Sequence, residues 1–105
     1  MGWLDRLFPA PSYDDLRAEN RAAGRALSKA DARRGIATCA LLAAPGAEAM
    51  RAEVLALVDG PFDAAARARC NVLVDDAIRA TGWLVRPGTV EELWYLEGLF
   101  DRFLR

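Results

Sequence analysis

Helix stop and start signals recur along this chain and set where its rods can begin and end. The clearest case is TGWLVRPGTVEE, residues 81–92. Gly82 suits the left-handed position just past a helix end, with Trp83 lying back on Ile78 in a Schellman contact. The RPG turn at 86–88 follows. Thr89 and Glu92 then stand three apart as a capping box, and Glu91 adds negative charge where the next helix dipole is positive. Earlier signals have the same character. Ser12 with Asp15 reads as a cap, with Asp14 beside it, and SKAD at 28–31 repeats the pattern. Pro45-Gly46 and Asp59-Gly60-Pro61 are breaks, and Asp63 opens another helix.

Between these marks apolar residues recur every three or four positions. A long helix is favoured over 13–44, with a break near Ser28 as the alternative, because SKAD repeats a cap pattern there and Gly24 and Gly35 each cost about 1 kcal/mol relative to alanine inside a helix. The segment 47–58 places Ala47, Met50, Val54, Leu57 and Val58 on one face. In 63–81 the stripe is Ala66, Cys70, Leu73, Ala77, Ile78 and Thr81. The last helix carries Val90, Leu93, Leu96, Leu99, Phe100, Phe103 and Leu104, with Trp94 and Tyr95 outside the centre of the arc. No stretch alternates with period two, and β-branched residues are scattered. The expected fold is all-α: a compact bundle of four main helices, five if the first breaks near Ser28, with short loops joining antiparallel neighbours. Residues 1–11 read as an amphipathic arm and Pro-containing linker, and 12–105 as one helical-bundle domain.

The chain contains no histidine, which removes the commonest general base and metal ligand. Two cysteines, Cys39 and Cys70, are too few for a structural zinc site, and both fall on apolar stretches of predicted helix. They read as reduced core residues of a cytoplasmic protein. Ser12 and Ser28 are explained as caps, and the carboxylates of Asp14-Asp15, Asp75-Asp76 and Glu91-Glu92 diverge by about 100° on a helix. Arg79 stands where it can neutralise Asp75 or Asp76. The isolated glycines build no phosphate loop. A non-enzymatic protein without cofactor or metal is the expectation. MGWLDRLF, interrupted by Asp5 and Arg6, lacks the pattern of a signal peptide, and no apolar run approaches the ~20 residues of a membrane span.

Formal net charge is only -1, yet residues 17–34 hold six positive charges against Glu19 and Asp31. Arg17, Arg21, Arg25, Lys29 and Arg33 stand four apart, drifting about 40° per step into a slanted stripe. Like charges at this spacing repel by a few tenths of a kcal/mol per pair, a local conflict that calls for something acidic nearby. Nucleic-acid phosphates or an acidic protein would satisfy it, as would acids on the other helices. A helix-turn-helix drawn from 47–58 and 63–81, with Arg67, Arg69 and Asn71 on its second helix, is a weaker nucleic-acid reading, because the turn contains GPF. Trp3 and Phe8 on the arm, with Trp94 and Tyr95 on the last helix, are aromatic anchors for a protein partner, or cover for the bundle edge. The short, charge-neutral arm makes membrane anchoring the weaker use of Trp3 and Phe8. By elimination the expected role is binding another macromolecule, most readily a protein, as an adaptor, assembly subunit or inhibitor of a larger complex of phage or mobile-element type. Nucleic acid bound through the basic stripe is the alternative, and the wide apolar arc of the last helix is compatible with a homodimer.

Overall fold

The computed structural model describes residues 12–104. The arm, with Trp3 and Phe8, lies outside the described residues. The fold is all-α: α1 is Tyr13–Arg25, α2 Lys29–Thr38, α3 Ala40–Ala43, α4 Glu48–Asp59, α5 Ala64–Thr81 and α6 Thr89–Phe103, with one 3₁₀ turn at Trp83–Val85 before α6. No strand occurs among the described residues.

The expected helix over 13–44 is divided twice. At the first break Ser28 caps α2 as it was read to: its Oγ accepts the Asp31 amide at 3.2 Å and its hydroxyl donates to the Asp31 carboxylate at 2.9 Å. Ser12 caps α1 in the same way, accepting the Asp15 amide at 3.1 Å. The second break, at Cys39, was not anticipated. The backbone there turns extended, and α3 is a single helical turn. Its cause lies in Ile36, Leu41 and Leu42, all fully buried. On one straight helix these three would diverge by about 100° or more from one another, so a single face could not bury them together. Breaking the rod at Cys39 sends all three into the core. Six helices are described, one of them the single turn α3, and the break at Ser28 is the one that the five-helix alternative required.

Three further starts and stops can be compared. Asp63 caps α5 by accepting the Ala66 amide at 2.9 Å. Gly82 ends α5 with φ 64° and its amide on the Ile78 carbonyl, the conformation its sequence position implied. The Thr89–Glu92 capping box, by contrast, does not form. The N-cap is Gly88, left-handed at φ 80°. Thr89 is buried as the first helical residue, its hydroxyl 2.6 Å from the Trp83 carbonyl and 2.5 Å from that of Arg86. The carbonyls of Trp83, in the 3₁₀ turn, and of Arg86, just past it, thus take the hydroxyl that would have capped α6. Glu92 instead reaches across to the Leu41 amide of α3 at 3.4 Å.

The core gathers Ala32, Ile36, Leu41 and Leu42 with Val54 and Val58 of α4, Cys70 and Leu73 of α5, and Leu96, Leu99, Phe100 and Phe103 of α6. Phe62, in the loop before α5, places its ring 6.3 Å from Phe100 and 6.2 Å from Phe103. The apolar stripes read for α4, α5 and α6 are largely those that pack. Val90 and Leu104 depart from the reading, being 42% and 40% exposed at the two ends of α6.

Short loops do not govern the closest helix pair. α1 and α6 are first and last in the chain, and their partners climb together from Tyr13–Trp94 through Arg17–Glu97 to Arg25–Asp101. The two rods run in the same sense. Only Gly24 is buried on α1, so little apolar area holds it. What allows the pairing is the absence of two β-carbons. A Cβ on Gly98 would meet the backbone of Arg21, and one on Gly24 that of Tyr95 and Leu99. Backbone touches backbone at this crossing.

Candidate interaction surfaces

The basic stripe meets its acids inside the chain. Arg17 forks onto Glu97, with Nε and Nη2 at 3.3 and 3.2 Å from its two oxygens. Arg21 and Arg25 converge on one oxygen of Asp101, at 2.8 and 2.6 Å. Arg67 of α5 takes the other oxygen of the same carboxylate. Arg33 bridges Asp59 at the end of α4 at 2.7 Å. Lys29 is exposed and makes no ion pair among the described residues.

Asp101 is the hub of this network. Its side chain is 12% exposed, while those of Arg21, Arg25 and Arg67 are 34%, 56% and 24% exposed. A carboxylate offers about four lone-pair directions, so one Asp can hold several guanidinium donors. Arg102 extends the clasp on its polar side, donating from Nε to the Leu27 carbonyl at 2.7 Å, just beyond the end of α1. Arg21 Nε is the one loose end: buried without a hydrogen-bond acceptor, it lies 3.6 Å from Glu97. Glu97 and Asp101 are four apart on α6, the same interval as the arginines on α1. The interval is present in the sequence, but an acid pair four apart does not by itself tell which helix it meets. The second helix of the drawn helix-turn-helix is likewise engaged, Arg69 forking onto Glu53 at 3.0 and 3.1 Å.

The aromatic anchors of α6 are placed differently from each other. Trp94 is 6% exposed, and the Tyr13 ring stands edge-on to it at 4.8 Å. Its face is used up in fastening α1. Tyr95 is half-buried and lines an open cleft of about 520 Å³ together with Asn20, Thr38, Cys39 and Glu92. Most of the polar groups in that cleft already serve local structure. Asn20 donates to the Leu16 carbonyl, Thr38 to that of Arg34, and Glu92 accepts from Leu41.

Burial pushes the Cys39 thiol up to about 11, and Cys70 likewise to about 11. Both are buried and free. Burial also raises Tyr95, with Cys39 adding to the effect. At neutral pH Cys39 is therefore a thiol, a poor nucleophile. In the native protein at pH 8 the thiolate fraction is expected to be roughly a hundredfold below that of an ordinary cysteine, and alkylation by iodoacetamide correspondingly slow until denaturant is added. Rapid labelling of either residue in the folded protein would contradict this. No group of three or more metal-ligating side chains comes together among the described residues. No described helix is long and apolar enough to cross a membrane.

A second depression lies between α5 and α6 and was not foreseen. α5 packs its backbone closely on α3 and α4, whereas α6 does so chiefly on α1 and α2; α5 and α6 meet through Arg67–Asp101 and core side chains. The groove left between them has a volume of about 250 Å³ and apolar walls from Val74 and Ile78 on α5 and Leu93, Leu96 and Phe100 on α6. Asn71, Asp75 and Glu97 form its rim. In the sequence these apolar residues sit on the same stripes as the core, and periodicity alone does not tell a packed face from the wall of an open groove.

The chain matches no protein-family model, no curated protein and no solved structure at a significant level.

Proposed function

We propose that this chain is a small, non-enzymatic, cytoplasmic protein-binding module, working as an adaptor, assembly subunit or inhibitor of a larger complex. The observation that supports this reading is the shallow groove between α5 and α6, where Ile78 and Leu93 stay half-buried above the buried Val74, Leu96 and Phe100. Its ~250 Å³ is below the ~300–1,000 Å³ usual for small-molecule pockets, and suits side chains of a docked protein segment better than a whole ligand. The two free, buried thiols fit a reducing compartment.

A nucleic-acid role through Arg17, Arg21, Arg25, Lys29 and Arg33 is the lesser reading, because phosphates would have to displace Glu97, Asp101 and Asp59 from their arginines. The expected result of an electrophoretic shift assay is no saturable binding of DNA or RNA even at about 50 mM salt, where phosphate contacts are strongest. Salt-sensitive binding lost in Arg21→Glu would restore it.

The direct test places a photo-crosslinking residue at Asn71, exposed on the groove rim, and in parallel at Glu19, exposed on the outer face of α1. In cells of the native host, irradiation is expected to yield a discrete protein adduct from position 71 and none from 19. Adducts from neither position, or turnover of a substrate by the purified protein, would overturn the proposal.

A further inference from the structure

We infer that the amphipathic arm seats its apolar residues, Trp3, Leu4, Leu7 and Phe8, on an exposed apolar patch of the same chain formed by Leu84, Val85 and Val90. Six large apolar side chains are exposed among the described residues, and four of them, Tyr13, Leu84, Val85 and Val90, belong to one end of the molecule. The Thr89 hydroxyl ties the first turn of α6 to the Trp83 and Arg86 carbonyls. Leu84 and Val85, 63% and 88% exposed, therefore lie at the end of α6 that carries Val90. Single apolar side chains on a surface are ordinary, whereas a group of them gathered at one end calls for cover.

The arm joins the described chain at that same end. Tyr13 stands edge-on to Trp94, and Val90 lies one turn before Trp94 on the same side of α6. Because α1 and α6 run in the same sense, the chain that enters α1 arrives past Val90. Pro9 and Pro11 bar the arm from continuing α1 as one rod. Phe8 is four residues from Ser12 and Trp3 nine, spans of at most about 14 and 32 Å. Those lengths cross the first turn of α6 and reach the 3₁₀ turn. So short a tether holds the arm beside the patch at an effective concentration in the millimolar range, which an outside partner seldom matches.

Charge agrees with this occupant. Between its apolar pairs the arm carries Asp5 and Arg6, one charge of each sign. The patch is edged in the same way, since Arg86 follows Val85 and Glu91 follows Val90. Both are exposed, and neither forms an ion pair among the described residues. An arm with one charge of each sign suits such an edge better than a segment of a single sign. Trp3 and Phe8 then serve as cover for the bundle edge and not as anchors for a partner, whatever binds the α5–α6 groove.

A nitroxide attached through Gly2→Cys in the full chain tests the inference. Cys39 and Cys70 are buried and stay unlabelled, which the mass of the product verifies. Paramagnetic broadening is expected at the amides of Leu84, Val85 and Val90, and not at Ala26 and Leu104, which cap the other ends of α1 and α6. Leu84→Asp combined with Val85→Asp, both at exposed positions, is expected to reduce the broadening at Val90 at least about fivefold. Trp3→Ser combined with Phe8→Ser, which alters only the arm, is expected to give the same loss. Equal broadening in the parent and in either double variant, broadening spread evenly over both ends, or none at the patch would each overturn the inference. So would broadening that arises when spin-labelled chains are mixed with isotope-labelled chains lacking the nitroxide, since the arm of a second copy would then be the occupant.

Discussion

Gly98→Ala is expected to loosen α1 from α6 and to destabilise the protein by about 2–4 kcal/mol, although helix propensity alone would make it a gain of about 1 kcal/mol. The sign follows from what the new methyl group meets. Its ideal position is 2.9 Å from the Arg21 carbonyl carbon and 3.1 Å from the Arg21 Cα. Both belong to backbone, so no rotamer change relieves the clash and the two rods must separate. Separation also lengthens the ion pairs that span them. Gly24→Ala acts from the other side, against the Leu99 amide nitrogen at 2.9 Å. Gly35→Ala is the control, because its Cβ would meet the Tyr95 hydroxyl at 3.3 Å, the far end of a side chain that has room to yield. Urea denaturation should rank Gly98→Ala and Gly24→Ala well below the parent and Gly35→Ala close to it. Hydrogen exchange should show the loss of protection concentrated in residues 13–25. A stabilised Gly98→Ala protein would mean that the crossing is not as close as described.

Asp101→Asn is expected to cost about 2–3 kcal/mol, the larger part of it from three guanidinium groups left without their shared counter-ion. Removing one partner of a fully buried pair costs about 3–5 kcal/mol. Here Arg25 is 56% exposed and turns to water readily, whereas Arg67 at 24% has less freedom, so the figure falls below that range. The surface pair Arg33–Asp59 offers the contrast. Both partners are about half exposed, and Arg33→Ala should change stability by no more than about 0.5 kcal/mol. Asp101→Glu keeps the charge and should recover part of the loss. Stability of Asp101→Asn within about 0.5 kcal/mol of the parent would show that the arginines do not depend on this carboxylate.

The punctuation of this fold was legible because it is local. Ser12, Ser28, Asp63 and Gly82 act within one turn of themselves, and each does what its position implied. Thr89 was misread because its partners, the carbonyls of Trp83 and Arg86, exist only once the 3₁₀ turn has formed. The break at Cys39 escaped notice for a related reason: it is driven by the joint burial of Ile36, Leu41 and Leu42, and helix propensity has no say in that. Of the acidic counterparts that repulsion along the basic stripe called for, acids on other helices are present: the last helix for Arg17, Arg21 and Arg25, and α4 for Arg33. Glu97 and Asp101 lie some eighty residues away from the α1 arginines they hold. The groove is the least legible feature, since Leu93 and Phe100 look alike in sequence although Phe100 is buried and Leu93 only partly so.

The basic stripe is, on this account, an intramolecular clasp, and a double-mutant cycle on Arg21 and Asp101 tests that most directly. Denaturation of the parent, Arg21→Ala, Asp101→Ala and the double variant is predicted to give a coupling energy on the order of 1–2 kcal/mol, the part of each residue's effect that depends on the other, while Asp101 keeps Arg25 and Arg67 and Arg21 keeps Glu97. Strictly additive losses would contradict it, and would return the stripe to the surface as a row of charges awaiting something outside the chain.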